Sequence, residues 1–250
     1  MTRFATAKDG IRLAYEVVGD GKPIVLAHGF ASDRNQNWKN VGWYDALTSA
    51  GFSVIALDFR GHGESDKPHE DRFYGDTMMG DVLAVMDAAD VELADLMGYS
   101  MGAILSVGLL MTQPERLHRA VLAGIGETYF DEKIARRRGI ANALRASDPS
   151  TITDPTQRAF RQFASQGGKD ITALAACMSA DRTMYTREQI RACVTPVLVV
   201  AGEKDTQAGS PNTLAASFAD GHAVSVPRRD HMTAVGDKVY KEAVLRFLAS

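Results

Sequence analysis

Cysteine is scarce in this 250-residue chain: Cys177 and Cys193 are the only two, too few for a disulfide framework or for a zinc site built from thiolates. A reducing cytoplasm fits that usage. Long apolar runs are missing as well; stretches such as Val197 to Ala201 fall far short of a bilayer crossing. The N-terminus has no apolar core followed by a small-residue cleavage site, so no secretory signal is expected. The chain reads as a soluble protein without membrane contact. It also lacks an excess of positive charge: 28 Lys+Arg against 31 Asp+Glu give −3, whereas nucleic-acid binding demands clustered Lys and Arg in excess. There is no HExxH, no paired CxxC and no calcium-loop spacing. Gly124-Ile125-Gly126 lacks the remaining glycine of a dinucleotide fingerprint, and no P-loop is present, so neither metal nor cofactor is expected.

What is present is ordinary globular composition, 45% hydrophobic and 24% charged, of a size for one domain with an inserted subdomain. Asp9-Gly10 is a turn dipeptide between Arg3 to Ala7 and Ile11 to Val18, predicting a hairpin. Apolar runs at Ile24 to Ala27, Phe52 to Leu57, Leu93 to Tyr99, Arg119 to Ile125 and Pro196 to Ala201 read as strands, with a short one at Ala223 to Val226. Helical spacing covers Trp38 to Ser49, Phe73 to Ala89, Met101 to Thr112, Pro211 to Ala219 and Val235 to Leu248. Continuous apolar strands alternating with helices predict a mostly parallel sheet covered on both faces. The alternation breaks between Gly126 and Thr195, where helices are predicted over Asp131 to Ala146, Asp154 to Gln166, Asp170 to Ala180 and Thr186 to Cys193. Pro155 suits a first helical turn, and Thr186-x-x-Gln189 is a capping-box spacing. Residues 127–195 are therefore expected to form a helical insertion over one edge of a core made by 1–126 and 196–250.

Chemistry concentrates at Gly98-Tyr99-Ser100-Met101-Gly102, a G-x-S-x-G run placed after a predicted strand and opening a predicted helix. A sharp strand-to-helix turn there exposes the serine hydroxyl at the sheet edge, with small flanking residues allowing close chain approach. A hydroxyl is a poor nucleophile without a base and an orienting acid. Of six histidines, His69, His118 and His222 sit in polar turn contexts, and His28 and His62 precede glycine in short loops where packing is the expected role. His231 follows the last strand and precedes the terminal helix, where a loop can bring an imidazole over the sheet edge. For the acid, Asp205 lies just past the strand Pro196 to Ala201 and follows the chain order Ser, Asp, His. Glu127 competes from the preceding strand, whereas Glu203 should point elsewhere. The backbone N–H of Met101 and that of Phe30, in His28-Gly29-Phe30, are the two expected oxyanion donors.

Val25 to Phe30, Asp58-Phe59-Arg60-Gly61-His62-Gly63-Glu64-Ser65, Gly98 to Gly102, Gly202-Glu203-Lys204-Asp205 and Asp230-His231 resemble, in order and over nearly the whole chain, the successive signatures of the α/β-hydrolase superfamily. The resemblance implies an α/β-hydrolase fold: an eight-stranded, mostly parallel sheet with its second strand antiparallel, helices on both faces, and a helical cap inserted after the sixth strand. It further implies a Ser100, Asp205 and His231 triad working without cofactor, Phe30 and Met101 as oxyanion-hole donors, and a mainly structural Asp58 to Ser65 loop. Relatives using an aspartate nucleophile, the haloalkane dehalogenases and epoxide hydrolases, are excluded because the position is Ser100.

Acyl chemistry follows, with a serine hydrolase of small or medium carboxylic esters as the leading expectation. Lactonases, carbon-carbon bond hydrolases, cofactor-free perhydrolases and a slow-turnover small-molecule receptor share the same triad. Phe130, Phe160, Phe163, Met178, Met184 and Tyr185 are candidate pocket residues beneath the cap, and Arg136-Arg137-Arg138 is read as the solvated face of the first cap helix. Acyl chain length, alcohol, stereochemistry and oligomeric state have no signature in the sequence.

Overall fold

The computed structural model describes residues 1–131 and 134–250. Eight strands form one sheet: β1 (Arg3–Thr6), β2 (Arg12–Val18), β3 (Lys22–Ala27), β4 (Phe52–Leu57), β5 (Ala94–Tyr99), β6 (Leu117–Ala123), β7 (Val197–Gly202) and β8 (Gly221–Val226). Their spatial order is β1-β2-β4-β3-β5-β6-β7-β8. β2 runs antiparallel to both β1 and β4, and every other pairing is parallel. The Asp9-Gly10 hairpin closes as expected, with Thr6 opposite Arg12.

Strand side chains alternate between two cores. Ile24 and Leu26 join Val54, Ala56 and Met97 on one face, covered by α1 (Trp43–Ser49) and α9 (Lys238–Leu248). Val25 and Ala27 join Ile55, Leu57 and Leu96 on the other, covered by α2 (Met79–Ala88) and α3 (Met101–Thr112). Both faces being buried, the central strands carry continuous apolar runs, Ile24 to Ala27, Val54 to Leu57, Ala120 to Ala123 and Val197 to Ala201, the pattern read in the sequence. The Asp58 to Ser65 loop is tied down from within: Ser65 Oγ donates to Asp58 O at 2.5 Å and accepts from Ala14 N at 2.8 Å. Arg34 pairs with Asp58, and Arg60 reaches Asp81 at 2.6 Å and Asp9 at 2.5 Å.

Between β6 and β7 lie α4 (Ile134–Arg145), α5 (Pro155–Ala164), α6 (Ile171–Ser179) and α7 (Arg187–Arg191), and among the described residues this stretch holds no strand. The expected start of the first of these helices includes residues 132–133, which lie outside the described residues. Asp154 and Asp170 accept first-turn N–H groups of α5 and α6, and the Thr186/Gln189 capping box forms. The helices share a small core of Ile140, Leu144, Ala164, Leu174 and Met178 that rests on Ala31 and Phe30, just beyond the carboxyl end of β3.

Four helices of the core differ from expectation in their boundaries. Trp38 to Ser49 is not one helix: Asn35–Lys39 is a π-helical turn, and Gly42, at φ 78°, separates it from α1. Residues 71–78 form two 3-10 turns interrupted at Tyr74, so α2 begins at Met79 rather than Phe73. The last helix waits for Asp237, whose carboxylate accepts from Val239 N, and α8 (Pro211–Ala215) ends before Ala219. At the last helix a side-chain cap, and at Gly42 a left-handed residue, override hydrophobic spacing. Among the described residues no helix is long and apolar enough to cross a membrane.

Candidate active site

The turn from β5 into α3 sets the serine. Ser100 has φ 52° and ψ −108°, and it is held there by its N–H donating to Ala123 O at 2.7 Å and by Ile104 N–H donating to its carbonyl at 3.0 Å. Its side chain makes no cap bond to the helix, which leaves Oγ to face outward. Glycines on either side explain the motif. A Cβ on Gly98 would stand 2.6 Å from the Gly102 backbone, and one on Gly102 would stand 2.1 Å from Ala27 O. The turn therefore closes only when both positions lack a side chain.

His231 Nε2 lies 3.1 Å from Ser100 Oγ, and its Nδ1 lies 2.8 Å from Asp205 Oδ2. A carboxylate can only accept, so Nδ1 carries the proton and the Nε2 lone pair faces the hydroxyl. Asp205 is buried, and its second oxygen accepts from Gln207 N and Ala208 N at 3.0 Å each. Those two bonds fix the carboxylate plane and leave Oδ2 for the imidazole. The loop carrying His231 is a closed turn: Asp230 Oδ1 accepts from Met232 N at 3.0 Å, Thr233 N at 2.9 Å and Thr233 Oγ1 at 2.7 Å. The Thr233 bonds hold the Asp230 carboxyl below its ordinary pKa. Tyr99 OH donates to His231 O at 2.6 Å, and burial keeps that phenol protonated by raising its pKa. Lys204 N–H donates to Arg229 O at 2.8 Å, tying the acid loop to the histidine loop.

The competitor Glu127 is exposed, and Asp205 occupies the position beside Nδ1. Glu203 points away and accepts from Arg228 N at 2.7 Å. His28 and His62 are buried packing residues: His28 Nε2 accepts from Phe59 N at 3.0 Å, and His62 Nδ1 donates to Arg60 O at 2.9 Å. His69, His118 and His222 are largely exposed.

Ser100 and His231 open into a cavity of about 380 Å³ whose walls include Phe30, Val41, Phe160, Phe163, Met232 and Val235. That volume and apolar lining suit a small organic ligand. Met101 N–H belongs to the first turn of α3, where the helix offers no acceptor, and Phe30 N–H donates to no backbone carbonyl among the described residues. Of the six expected pocket residues, Phe160 and Phe163 line this cavity. Phe130, Met184 and Tyr185 instead line a separate hollow of about 730 Å³ with Arg137 and Arg182, because the turn at 127–130 seats Phe130 beneath Arg187, at 3.9 Å from its ring centroid. Met178 is consumed by the core of the inserted helices. The arginine run splits too: Arg136 and Arg138 are exposed, while Arg137 turns inward to donate to Ala180 O. The sequence reading passed over Asn37, Tyr99 and Gln207, which also line the cavity. Their polar side chains fall in loops, turns and strand ends without periodicity, so no spacing marked them. Among the described residues no group of three or more His, Cys, Asp or Glu is arranged to hold a metal ion.

Comparison with known proteins agrees with this architecture. The family model for the alpha/beta hydrolase fold matches residues 22–142. The dihydrolipoyllysine-residue acetyltransferase component of the acetoin cleaving system of Pseudomonas putida is 31% identical over 232 residues, covering 87% of this chain. The chain spans 61% of that protein's length. A solved hydrolase from Pseudomonas aeruginosa PA01 superposes with a TM-score of 0.84 at 28% identity, covering 100% of this chain and 98% of that one. An esterase from Rhodococcus superposes with a TM-score of 0.73 at 25% identity, covering 100% and 98%. A likeness that runs the full length of the chain, at sequence identities that still carry information, makes this protein a member of the α/β-hydrolase superfamily.

Proposed function

We propose that the protein is a serine hydrolase that cleaves a small or medium carboxylic ester through an acyl-enzyme. The observation that carries this reading is the unbroken relay from Ser100 Oγ through the His231 ring to Asp205, at 3.1 and 2.8 Å. Ser100 Oγ attacks the ester carbonyl carbon while its proton passes to His231 Nε2. The imidazolium so formed is stabilised by Asp205, which stays ionised. The carbonyl oxygen, now negative, accepts from Met101 N–H and Phe30 N–H. Collapse expels the alkoxide, which takes the proton from Nε2, and leaves an ester on Ser100. Water then enters, gives its proton to Nε2, and attacks the acyl carbon. The acid departs as Oγ recovers that proton.

Residues 127–195 act in this reading as a cap. Phe160 on α5 packs against Phe30, ring centroids 6.0 Å apart, and with Phe163 lines the cavity, so that together they exclude water from the acyl group, which strengthens every charge interaction at the reacting carbon. Support from relatives lies in the names of the P. aeruginosa hydrolase and the Rhodococcus esterase. The test is hydrolysis of p-nitrophenyl esters from acetate to palmitate. Turnover is expected to peak at short or medium chains, given a cavity of about 380 Å³, and to vanish in Ser100→Ala. Turnover that survives in Ser100→Ala, or a wild type inert on the whole series, contradicts the reading.

A further inference from the structure

Asn37 stands in the π-turn Asn35–Lys39, which runs into the start of the helix expected from Trp38. Asn40 N–H donates to Asn35 O at 2.9 Å, the wide i to i+5 bond, while Asp33 Oδ1 accepts from Asn35 N and Gln36 N at 2.8 Å each and fixes the turn's start. A π-turn packs less well than an α-turn and recurs at functional positions. Here it delivers Asn37 against the loop leaving β3. Gly29 N–H donates to Asn37 Oδ1 at 2.9 Å in a buried bond. An N–H accepts no hydrogen bond, so the amide orientation is fixed: the carbonyl faces Gly29 and the NH2 group faces away from it. That Nδ2 is buried and, among the described residues, has no hydrogen-bond partner. An unmet buried donor opposes folding unless a ligand or water satisfies it.

Asn37 lines the cavity that holds Ser100 and His231. Gly29 is packed against the nucleophile: a Cβ built on it would lie 3.6 Å from Ser100 Cβ and 3.5 Å from Asn37 Oδ1. Phe30, the next residue, supplies the proposed second oxyanion donor, and its ring is one wall of the cavity. A shift of Gly29 would move the Phe30 N–H with it, and donors act only when aimed at the position the oxyanion will occupy.

We infer that Asn37 has two tasks at the acyl site. Through Oδ1 it is a positioning residue, holding Gly29 so that Phe30 N–H points at the reacting oxygen. Through Nδ2 it is a donor to an oxygen of the bound ester. This rests on the serine-hydrolase reading, and the test separates the two. Wild type, Asn37→Leu and Asn37→Asp are titrated with a p-nitrophenyl phosphonate to count reactive serines. Then kcat and KM on a p-nitrophenyl ester and the thermal midpoint are measured. Leucine matches the size of Asn but loses both bonds, whereas aspartate keeps the acceptor for Gly29 and sets a negative charge where the donor stood.

Per titrated serine, kcat in Asn37→Leu is expected to fall on the order of 10²-fold, the effect of one lost oxyanion donor, with a smaller change in KM. Asn37→Asp should fall further, because its carboxylate faces the developing oxyanion. Thermal midpoints should rank the other way, with Asn37→Asp above Asn37→Leu, since only the leucine leaves Gly29 N–H unpaired. A merely structural residue would make activity follow stability. If Asn37→Asp is the more active variant, or both stay within about threefold of wild type per titrated serine, the inference is overturned. A wild-type protein that neither hydrolyses the ester nor takes up the phosphonate overturns the serine-hydrolase reading itself, and this assignment with it.

Discussion

Ser100 carries φ 52° in a residue with a Cβ, a backbone state L-residues enter at a cost and keep only when their surroundings enforce it. Ala123 O and Ile104 N hold its backbone there, and glycine at positions 98 and 102 leaves the room the turn needs. The cost secures direction, because the hydroxyl ends up facing His231 instead of capping α3. At the acid, Asp205 differs from a neutral amide in one respect that matters. Its Oδ2 can only accept, and so it forces the His231 proton onto Nδ1. Asp205→Asn is expected to fold normally, since an amide oxygen can still accept from Gln207 N and Ala208 N, yet to lose on the order of 10⁴-fold in kcat as the imidazole takes the wrong tautomer. Steady-state kinetics with a circular-dichroism melt checks both halves. Wild-type activity in Asp205→Asn would remove Asp205 from the relay.

The strand-turn-helix element is where backbone spacing is tightest. Gly102→Ala would drive a Cβ to 2.1 Å from Ala27 O and 2.6 Å from Ala27 C, so α3 must lift from β3. A loss of about 1–3 kcal/mol or more is expected from such overpacking. Gly80, one residue into α2, has nothing within 4 Å of a built Cβ, and Gly80→Ala should instead gain about 0.5–1 kcal/mol from helix propensity. Denaturant unfolding of the pair measures both signs together, and a stabilised Gly102→Ala would contradict the packing described for α3. Elements of this kind were legible in the sequence because buried strands are continuous apolar runs and capped helices announce their starts. β4 and α3 match their expected spans residue for residue. Boundaries went astray where a single residue redirects the chain, as Gly42 does with φ 78° and Asp237 with its cap. The pocket was legible only in part. Phe160 and Phe163 face the cavity and Phe130 does not, a distinction fixed by how the inserted helices pack, which no local spacing encodes.

Across the whole molecule, charge is balanced at the surface and paired within. The Arg34–Asp58 and Arg60–Asp81 pairs are buried. His28 and His62 are buried with ring centroids 5.0 Å apart. Burial lowers both pKa values from 6.5, and the neighbouring His28 lowers that of His62 further. In the unfolded chain these rings protonate near 6.5, so the unfolded state binds more protons below that pH. The stability they contribute is present above 6.5 and lost as pH falls toward their folded values. Asp81, raised by burial to about 6 despite Arg60, works in the opposite sense as it takes up a proton, leaving two depressed groups against one raised. The denaturation midpoint is expected to fall between about pH 7 and pH 5, and to fall less in His62→Gln, whose amide can still donate to Arg60 O. Equal losses in both proteins would contradict the assignment of His62 as a neutral buried ring.

The central claim, that Ser100 is a nucleophile activated by His231 and Asp205, is met most directly by mass mapping of the protein after treatment with a p-nitrophenyl alkylphosphonate. The account predicts one covalent phosphonyl group on the peptide bearing Ser100, formed together with loss of ester hydrolysis, and no label there in Ser100→Ala or at a comparable rate in His231→Gln. A label on another residue accompanying inactivation, or full inactivation with Ser100 unmodified, would contradict it.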